Sequence, residues 1–394
     1  MAPIKKVVIE KANRLYQLPP EIGSFTRAQA ARAIRRKTPV IDLAGFVWPV
    51  AAEGGPLDWN KLLPADESLL LSLKETLAAW YETTHGVRLN PEREIFIGNG
   101  VSRIAMSLAL AFVDSGDIAF VPDLAIPLYR KVVTACGGEA VGYNISLKDN
   151  WRPNFERVST RLGRVARLLF VNSPHNPTGT EMRAKDWEDL VWTATRENIT
   201  LVNDAAWQTF PTHHVPSLLS VSGARKAGIE LGSFAYSFGL PPIPFGYAVG
   251  NREIINGLMN ARHLVRPYLP VAFVEAAVEA VQEYPNESLR QVRHDCRQAL
   301  AESGKFLQQL NLETVGLDTV PYVWARLEPR GRARRAAELL FKRARIQVIP
   351  GNSFGDVGQG YLRLSLTAGA EAFTEATGRL VKRRTLMRLG EQAQ

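Results

Sequence analysis

The chain has 394 residues, of which 46% are hydrophobic and 22% charged, and carries a net charge of +9. That length exceeds a single compact core of ordinary size and predicts two domains, while the composition is that of a folded globular protein and excludes a disordered one. Lys5, Lys6, Glu10 and Lys11 break up the apolar residues of the N-terminus, and no run approaches the roughly 18 apolar residues of a membrane span, so a cytoplasmic protein without a membrane partner is expected.

Cys136 and Cys296 are the only cysteines. They are too few and too far apart for a disulfide framework or a zinc site, so no metal is expected and each reads as a small buried hydrophobe. The basic clusters RAIRRK (32–37), RGRARR (330–335) and KRRTLMR (382–388) invite a polyanion, yet none contains an aromatic residue to stack on bases. They read as solvated helix faces, with no nucleic acid as partner.

From about residue 94 strand-like runs alternate with amphipathic helices. EIFIGNG is a strand ending in a glycine turn, and VSRIAMSLALAF follows with Ile104, Leu108 and Ala111 at helical spacing. DIAFVPD and RLLFVNSP are the next strands; a helix with Trp187, Leu190, Val191 and Ala194 on one face leads into ITLVND. SFAYSF and FGYAVG read as two buried strands joined by a proline-rich turn. Strands separated by such helices predict an α/β large domain over 46–288 with a mostly parallel sheet covered on both faces. After about residue 288 a long helix, then YVWARL, IQVIPG, YLRLSL and a last helix with Phe373, Ala376 and Leu380 predict a smaller α+β domain, formed by 289–394 together with 1–45.

In an open parallel sheet the ligand lies beyond the carboxyl ends of the strands. The polar residues to read are therefore Asn99 to Ser102, Asp123, the NSPHNPTGT and NDAAW stretches, and the segment 232–251. In SPHNPTG two prolines and a glycine fix Asn176 at a strand end.

The stretches GVRLNPEREIFIGNG, SGDIAFVPDLAIPLY, NSPHNPTG, NDAAWQTF, GSFAYSFGLPPIPFGYAVGN and IQVIPGNSFGDVGQGYLRLSL together resemble the fold type I aminotransferases, which depend on pyridoxal phosphate, and most closely their aspartate and LL-diaminopimelate branch. The resemblance spans roughly residues 40–383 and implies that family's fold and a homodimer. It implies that Asp204 pairs with the pyridine nitrogen, that Asn176 bonds the ring's phenolic oxygen, and that Arg363 forks onto the substrate carboxylate as a planar guanidinium does.

Other positions depart from the family. Its cofactor segment is approximately S-x-S-K-x-x-x-x-x-G-x-R; Ser233 keeps the first serine, whereas Ala235, Tyr236, Pro242 and Pro244 replace the second serine, the lysine, the glycine and the arginine. A phenol cannot form an imine with the cofactor aldehyde, and it also lacks the amine that shuttles the proton. At the first helix Val101 and Ser102 stand for the hydroxyl and lysine that help hold the phosphate, where helix N–H groups favour an anion. Trp207 replaces the tyrosine that donates to the phenolic oxygen, and Ile126 the aromatic that stacks on the ring. Losing two or three charge-assisted contacts worth roughly 1.5–3 kcal/mol each weakens binding by orders of magnitude.

The expectation is accordingly an aminotransferase-like enzyme with no cofactor, neither covalent nor non-covalent. It acts on a carboxylate-bearing amino-acid or keto-acid derivative by condensation, cyclisation, elimination or isomerisation. Tyr236 and Asp204 move the proton, and Arg363, Asn176 and Trp207 bind the substrate; His175 is a possible helper. Two alternatives stay open: a non-catalytic relative that senses a ligand or pairs with an active homologue, and an enzyme that binds pyridoxal or pyridoxamine phosphate non-covalently.

Overall fold

A computed structural model of the chain describes residues 12–22, 28, 31, 39–46, 58–159, 165–241, 243–265, 268–316, 318–328, 331–383 and 389–393. Pro242 and most of the basic clusters at 32–37 and 382–388 lie outside the described residues. Arg332 stands at the N-cap of the helix Ala333–Ala344, and Arg334 and Arg335 lie in its first turn.

A short strand, β1 (Ile41–Asp42), precedes the large sheet. That sheet takes β2 (Ile95–Gly98), β3 (Ile118–Pro122), β4 (Glu139–Ile145), β5 (Pro153–Asn154), β6 (Ala166–Asn172), β7 (Thr200–Asp204), β8 (Gly228–Ser233) and β9 (Gly246–Gly250), in the spatial order 2-9-8-7-6-3-4-5. The pairs from β4 through β3, β6 and β7 to β8 are parallel, and β9, β2 and β5 add antiparallel edges, so the sheet is mixed around a parallel centre. Both faces are apolar because both are covered. One packs Ile104, Leu108, Val132, Val133 and Leu258 against Phe170, Val202 and Ile229, and the other packs Trp187, Leu190 and Val191 against Leu169 and Leu201.

Parallel pairing aligns the polar strand ends. Asn172 at the end of β6 sits in register with Asp204 at the end of β7, and Asp204 also pairs with Leu231 on β8. The chain leaves β8 at Ser233, but SFAYSF is not the strand its alternation predicts. Phe234–Phe238 is one helical turn, because the Ser233 hydroxyl accepts the Tyr236 N–H at 3.3 Å and Gly239, at φ +72°, closes the turn in the left-handed region. This turn places Tyr236 just beyond the carboxyl end of the sheet.

The second sheet comprises β10 (Leu312–Thr314), β11 (Tyr322–Leu327), β13 (Ile349–Pro350) and β14 (Tyr361–Ser365), antiparallel in the order 10-11-14-13. The helices Glu287–Leu310 and Ala370–Arg383 cover it through Val292, Ala299, Phe306, Phe373, Ala376 and Leu380. IQVIPG, read as one strand, divides: β12 (Ile346–Gln347) pairs with β1 instead of joining the four-stranded sheet. Residues 41–44 are thereby threaded alongside β12 and β14, with Leu43 N–H on the Gln347 carbonyl at 2.9 Å and Ser365 N–H on the Leu43 carbonyl at 2.8 Å.

Candidate active site

The strand ends converge on a mixed polar and aromatic centre. Asp204 ends β7 fully enclosed; one oxygen accepts the Tyr129 hydroxyl at 2.7 Å and the other the Ala206 N–H at 3.1 Å. Both donors are neutral. Burial pushes the Asp204 carboxyl above the usual carboxylate range, against the pull of these two hydrogen bonds. Tyr129 is a partner that sequence reasoning missed: its position in the LYRKVVTA helix reads only as a core residue.

Arg363 lies in the middle of β14, opposite Trp324 and Ile349, and is only 6% exposed. Its Nη1 donates to Asn176 Oδ1 at 3.1 Å, its Nη2 reaches the Ala44 carbonyl at 3.5 Å, and its guanidinium lies 4.0 Å from the centroid of the Tyr322 ring. Phe354 flanks it at 5.0 Å. Its Nε is buried without a hydrogen-bond partner. Asn176 is itself held by its N–H on Asn172 Oδ1 at 2.8 Å. Thus Asn176 and Arg363, 187 residues apart, meet as expected, whereas Ala44, Tyr322 and Phe354 carry no distinguishing sequence signal.

Tyr236 and Trp207 stack with ring centroids 4.4 Å apart and planes 10° apart. Phe46 meets both, edge-on to Tyr236 at 4.8 Å and tilted against Trp207 at 5.4 Å. Burial raises the Tyr236 phenol above its ordinary pKa, Arg363 opposes this and Asp204 adds to it. The phenol is therefore protonated at neutral pH and lies within electrostatic range of both charged residues.

The remaining predicted positions divide. Ser233 is buried and committed to capping the Tyr236 turn, and Ala235 is buried beside it. Val101 packs on the core, Ser102 is exposed, and Ile126 is half-buried between two core faces. The Asn99 side chain does not cap the helix Gly100–Phe112 but donates to the Tyr268 carbonyl at 2.7 Å, leaving the first-turn N–H groups uncapped. Pro244 presses on that terminus: a Cβ on Gly100 would lie 3.2 Å from the Pro244 Cα, and Gly100 already has φ +81°.

His175 is spoken for. Its Nε2 faces the Leu124 carbonyl at 2.8 Å, so it carries the proton, and its Nδ1 accepts from the Thr178 hydroxyl at 2.8 Å. Burial lowers its pKa to about 4, and it braces the 124 and 178 loops rather than helping in chemistry. A cavity of about 640 Å³ adjoins this centre, lined by Asp123, Ile126, Tyr129, Arg130, Phe354 and Asp356 among others. No cluster of three potential ligand side chains is placed to hold a metal ion among the described residues.

Residues 62–380 match the sequence pattern of the aminotransferase class I and II family, and the chain belongs to that family. It is 28% identical over 385 residues to the LL-diaminopimelate aminotransferase of Moorella thermoacetica, covering 94% of this chain and 98% of that enzyme. It is 30% identical over 330 residues to the enzyme of the same name from Dehalococcoides mccartyi, covering 82% and 83%. Among solved structures, substrate-bound BacF from Bacillus subtilis superimposes with a TM-score of 0.85 at 23% identity over 97% of this chain and 99% of that one. The aspartate aminotransferase of Thermotoga maritima does so with 0.80 at 18% identity over 94% and 99%. These last two define the fold.

These findings correct two expectations. Relatives along nearly the whole chain are aminotransferases, enzymes that normally use pyridoxal phosphate, so neither a reaction independent of that cofactor nor the absence of a cofactor stands. The residues fit its ring: Asp204 is a buried carboxylate whose described hydrogen-bond donors are neutral, an electrostatic need that a protonated pyridine nitrogen meets. The uncapped N-terminus of the helix Gly100–Phe112 is suited to an anion. Counting missing phosphate contacts in sequence overlooked what the buried Asp204 and Arg363 still require.

Proposed function

We propose that this protein is an aminotransferase that uses pyridoxal phosphate and binds the α-carboxylate of its amino-acid or 2-oxo-acid substrate on Arg363. The observation that carries this reading is the Arg363 guanidinium, enclosed with its Nε unpartnered. A buried cation with an unused donor is costly until an anion completes it, and a carboxylate matches its two-pronged geometry.

Asp204 would hold the cofactor's ring nitrogen, and Asn176, whose Oδ1 is taken by Arg363, has its amide N–H group left for the ring oxygen. The N-terminal turn of the helix Gly100–Phe112 would face the phosphate, with Ser102 in that turn and Ser233 brought near it by pairing with Gly246, which abuts Gly100. When bound, the cofactor supplies the electron sink through which an amino group is taken up and passed on. Tyr236, kept protonated by burial, is a proton donor at Oη rather than a base, and Trp207 and Phe46 wall its ring from water. The reading takes 46–288 as the domain that holds the cofactor and 1–45 with 289–394 as the one that presents Arg363. It takes the chain as a cytoplasmic homodimer, in keeping with the fold class; no described helix is long and apolar enough to cross a membrane.

The names of the relatives make LL-diaminopimelate, with a 2-oxo-acid acceptor, the first substrate pair to try. Product amino acid is followed by mass spectrometry for the wild type, Arg363→Lys and Arg363→Ala. Transfer by the wild type, with KM for the carboxylate substrate raised about 100-fold or more in both variants (~3 kcal/mol), supports the reading. Unchanged KM in Arg363→Ala refutes the anchoring role.

A further inference from the structure

Position 236, which the family resemblance sets against the lysine that bonds the cofactor aldehyde, holds a phenol packed between Trp207 and Phe46. We infer, resting on the reading above, that the cofactor is held here without a covalent bond and exchanges freely, the protein taking up the amine form as readily as the aldehyde form.

A phenol oxygen cannot make a carbon–nitrogen double bond, so nothing at position 236 condenses with the aldehyde. The lysine nearest in sequence, Lys226, is exposed and precedes β8, whereas Tyr236 follows it. At roughly 3.3 Å per residue the six residues of that strand put close to 20 Å between its ends, beyond the reach of a lysine side chain. Lys61, Lys185 and Lys305 are paired on the surface with Glu275, Asp189 and Glu302. The three-ring packing also leaves Tyr236 no freedom to swing aside, since it is stacked on one face and met by an aromatic edge.

The consequence is a change in which form is favoured. A lysine enzyme favours the aldehyde form because condensation adds to the contacts made by ring and phosphate. With that bond unavailable, the two forms present the same ring nitrogen to Asp204 and the same phosphate to the helix terminus, so their affinities converge. The amine form can then arrive already loaded, as a co-substrate made by another amine-transferring reaction, and leave as the aldehyde.

The experiment is titration of cofactor-free full-length protein with pyridoxal phosphate and with pyridoxamine phosphate, by calorimetry. A second sample is loaded with pyridoxal phosphate, reduced with borohydride, denatured and weighed intact. Both forms are expected to bind with dissociation constants within about tenfold of each other (~1.4 kcal/mol), and borohydride is expected to leave the mass unchanged. Tyr236→Lys should gain a reducible adduct and shift the preference toward the aldehyde. Tyr236→Phe, which keeps the stack, should bind both forms as the wild type does. A reduced adduct on any wild-type lysine, or a selective loss of aldehyde binding in Tyr236→Phe, overturns the inference and leaves the proposed transferase function intact. Binding of neither form at millimolar concentration overturns both.

Discussion

Trp207 and Tyr236 lie face to face at 4.4 Å, although one stands in the loop after β7 and the other in the turn after β8. Parallel pairing of β7 and β8 fixes their approach, and Phe46 from the N-terminal segment closes it. Such a pair contributes roughly 0.5–1.5 kcal/mol beyond the area it buries. Trp207→Ala is therefore expected to lower unfolding stability by about 3–5 kcal/mol through the cavity it leaves. Tyr236→Phe, with the stack kept, should lose less than about 1 kcal/mol. Urea titration followed by circular dichroism measures both, and equal losses would mean that the phenol oxygen, not the stack, matters.

Asp204 makes a separable prediction. In Asp204→Asn the amide oxygen can still accept from Ala206, and the Tyr129 hydroxyl can turn to accept from the amide nitrogen, so no hydrogen bond is stranded. Removing a buried charge should leave the cofactor-free protein as stable as the wild type or more so. Affinity for the pyridine cofactor should fall by about 30-fold or more (~2 kcal/mol). Differential scanning calorimetry and calorimetric titration read the two effects, and a variant that binds the cofactor unchanged would remove Asp204 from the ring site.

Glu230 is fully buried one layer below, accepting from Asn203 and the Leu218 N–H on one oxygen and from Ser217 and Tyr81 on the other. Burial raises its pKa against all four donors. Two of these donors are hydroxyls that can rotate into acceptors, so Glu230→Gln should cost less than about 1 kcal/mol. Glu230→Leu strands the Asn203 amide and the Leu218 N–H and should cost about 3 kcal/mol. Denaturant unfolding of the two variants side by side is the check.

His175 sets a pH dependence. Its folded pKa of about 4 lies below the ordinary value of about 6.5, so between those values the unfolded chain binds a proton that the folded one does not. Stability is then complete above pH 6.5 and falls as the pH drops toward 4, by about 2 kcal/mol at pH 5 from this residue alone. His85, also lowered to about 4 by burial, adds in the same sense. His175→Gln should be less stable at pH 7 yet lose less between pH 7 and pH 5 than the wild type, as measured by urea midpoints.

What could be read from sequence were features with a local signature. The alternation of apolar runs and amphipathic helices gave β2, β3, β6, β7 and β9 to within a residue or two but passed over β4 and β8, and Asn176 and Asp204 stood out at strand ends while Arg363 was marked only by the family resemblance. Three things were hidden. The turn at Phe234–Phe238 reads as strand because its aromatic residues alternate, and only the Ser233 cap and Gly239 reveal it. IQVIPG divides between partners because pairing with β1 is a contact across some 300 residues, invisible to any local pattern. Tyr129, Tyr322 and Phe354 look like ordinary core residues, and their role follows only from what the fold places against them. Reading losses at single phosphate contacts led to the wrong chemistry, because a buried carboxylate and a buried guanidinium are demands of the folded state that no motif states.

Because residues 41–44 run between β12 and β14, and the Ala44 carbonyl touches Arg363 while Phe46 covers Tyr236, the beginning of the chain is part of the pocket wall. That segment finds its partners only some 300 residues further along the chain, so a ribosome-bound chain lacking its final strands has no finished pocket at all. A fragment trimmed past Phe46 could retain both sheets, pass every test of secondary structure, and still present an open, wetted guanidinium. Silence from such a fragment in an assay would describe the trimming and not the protein.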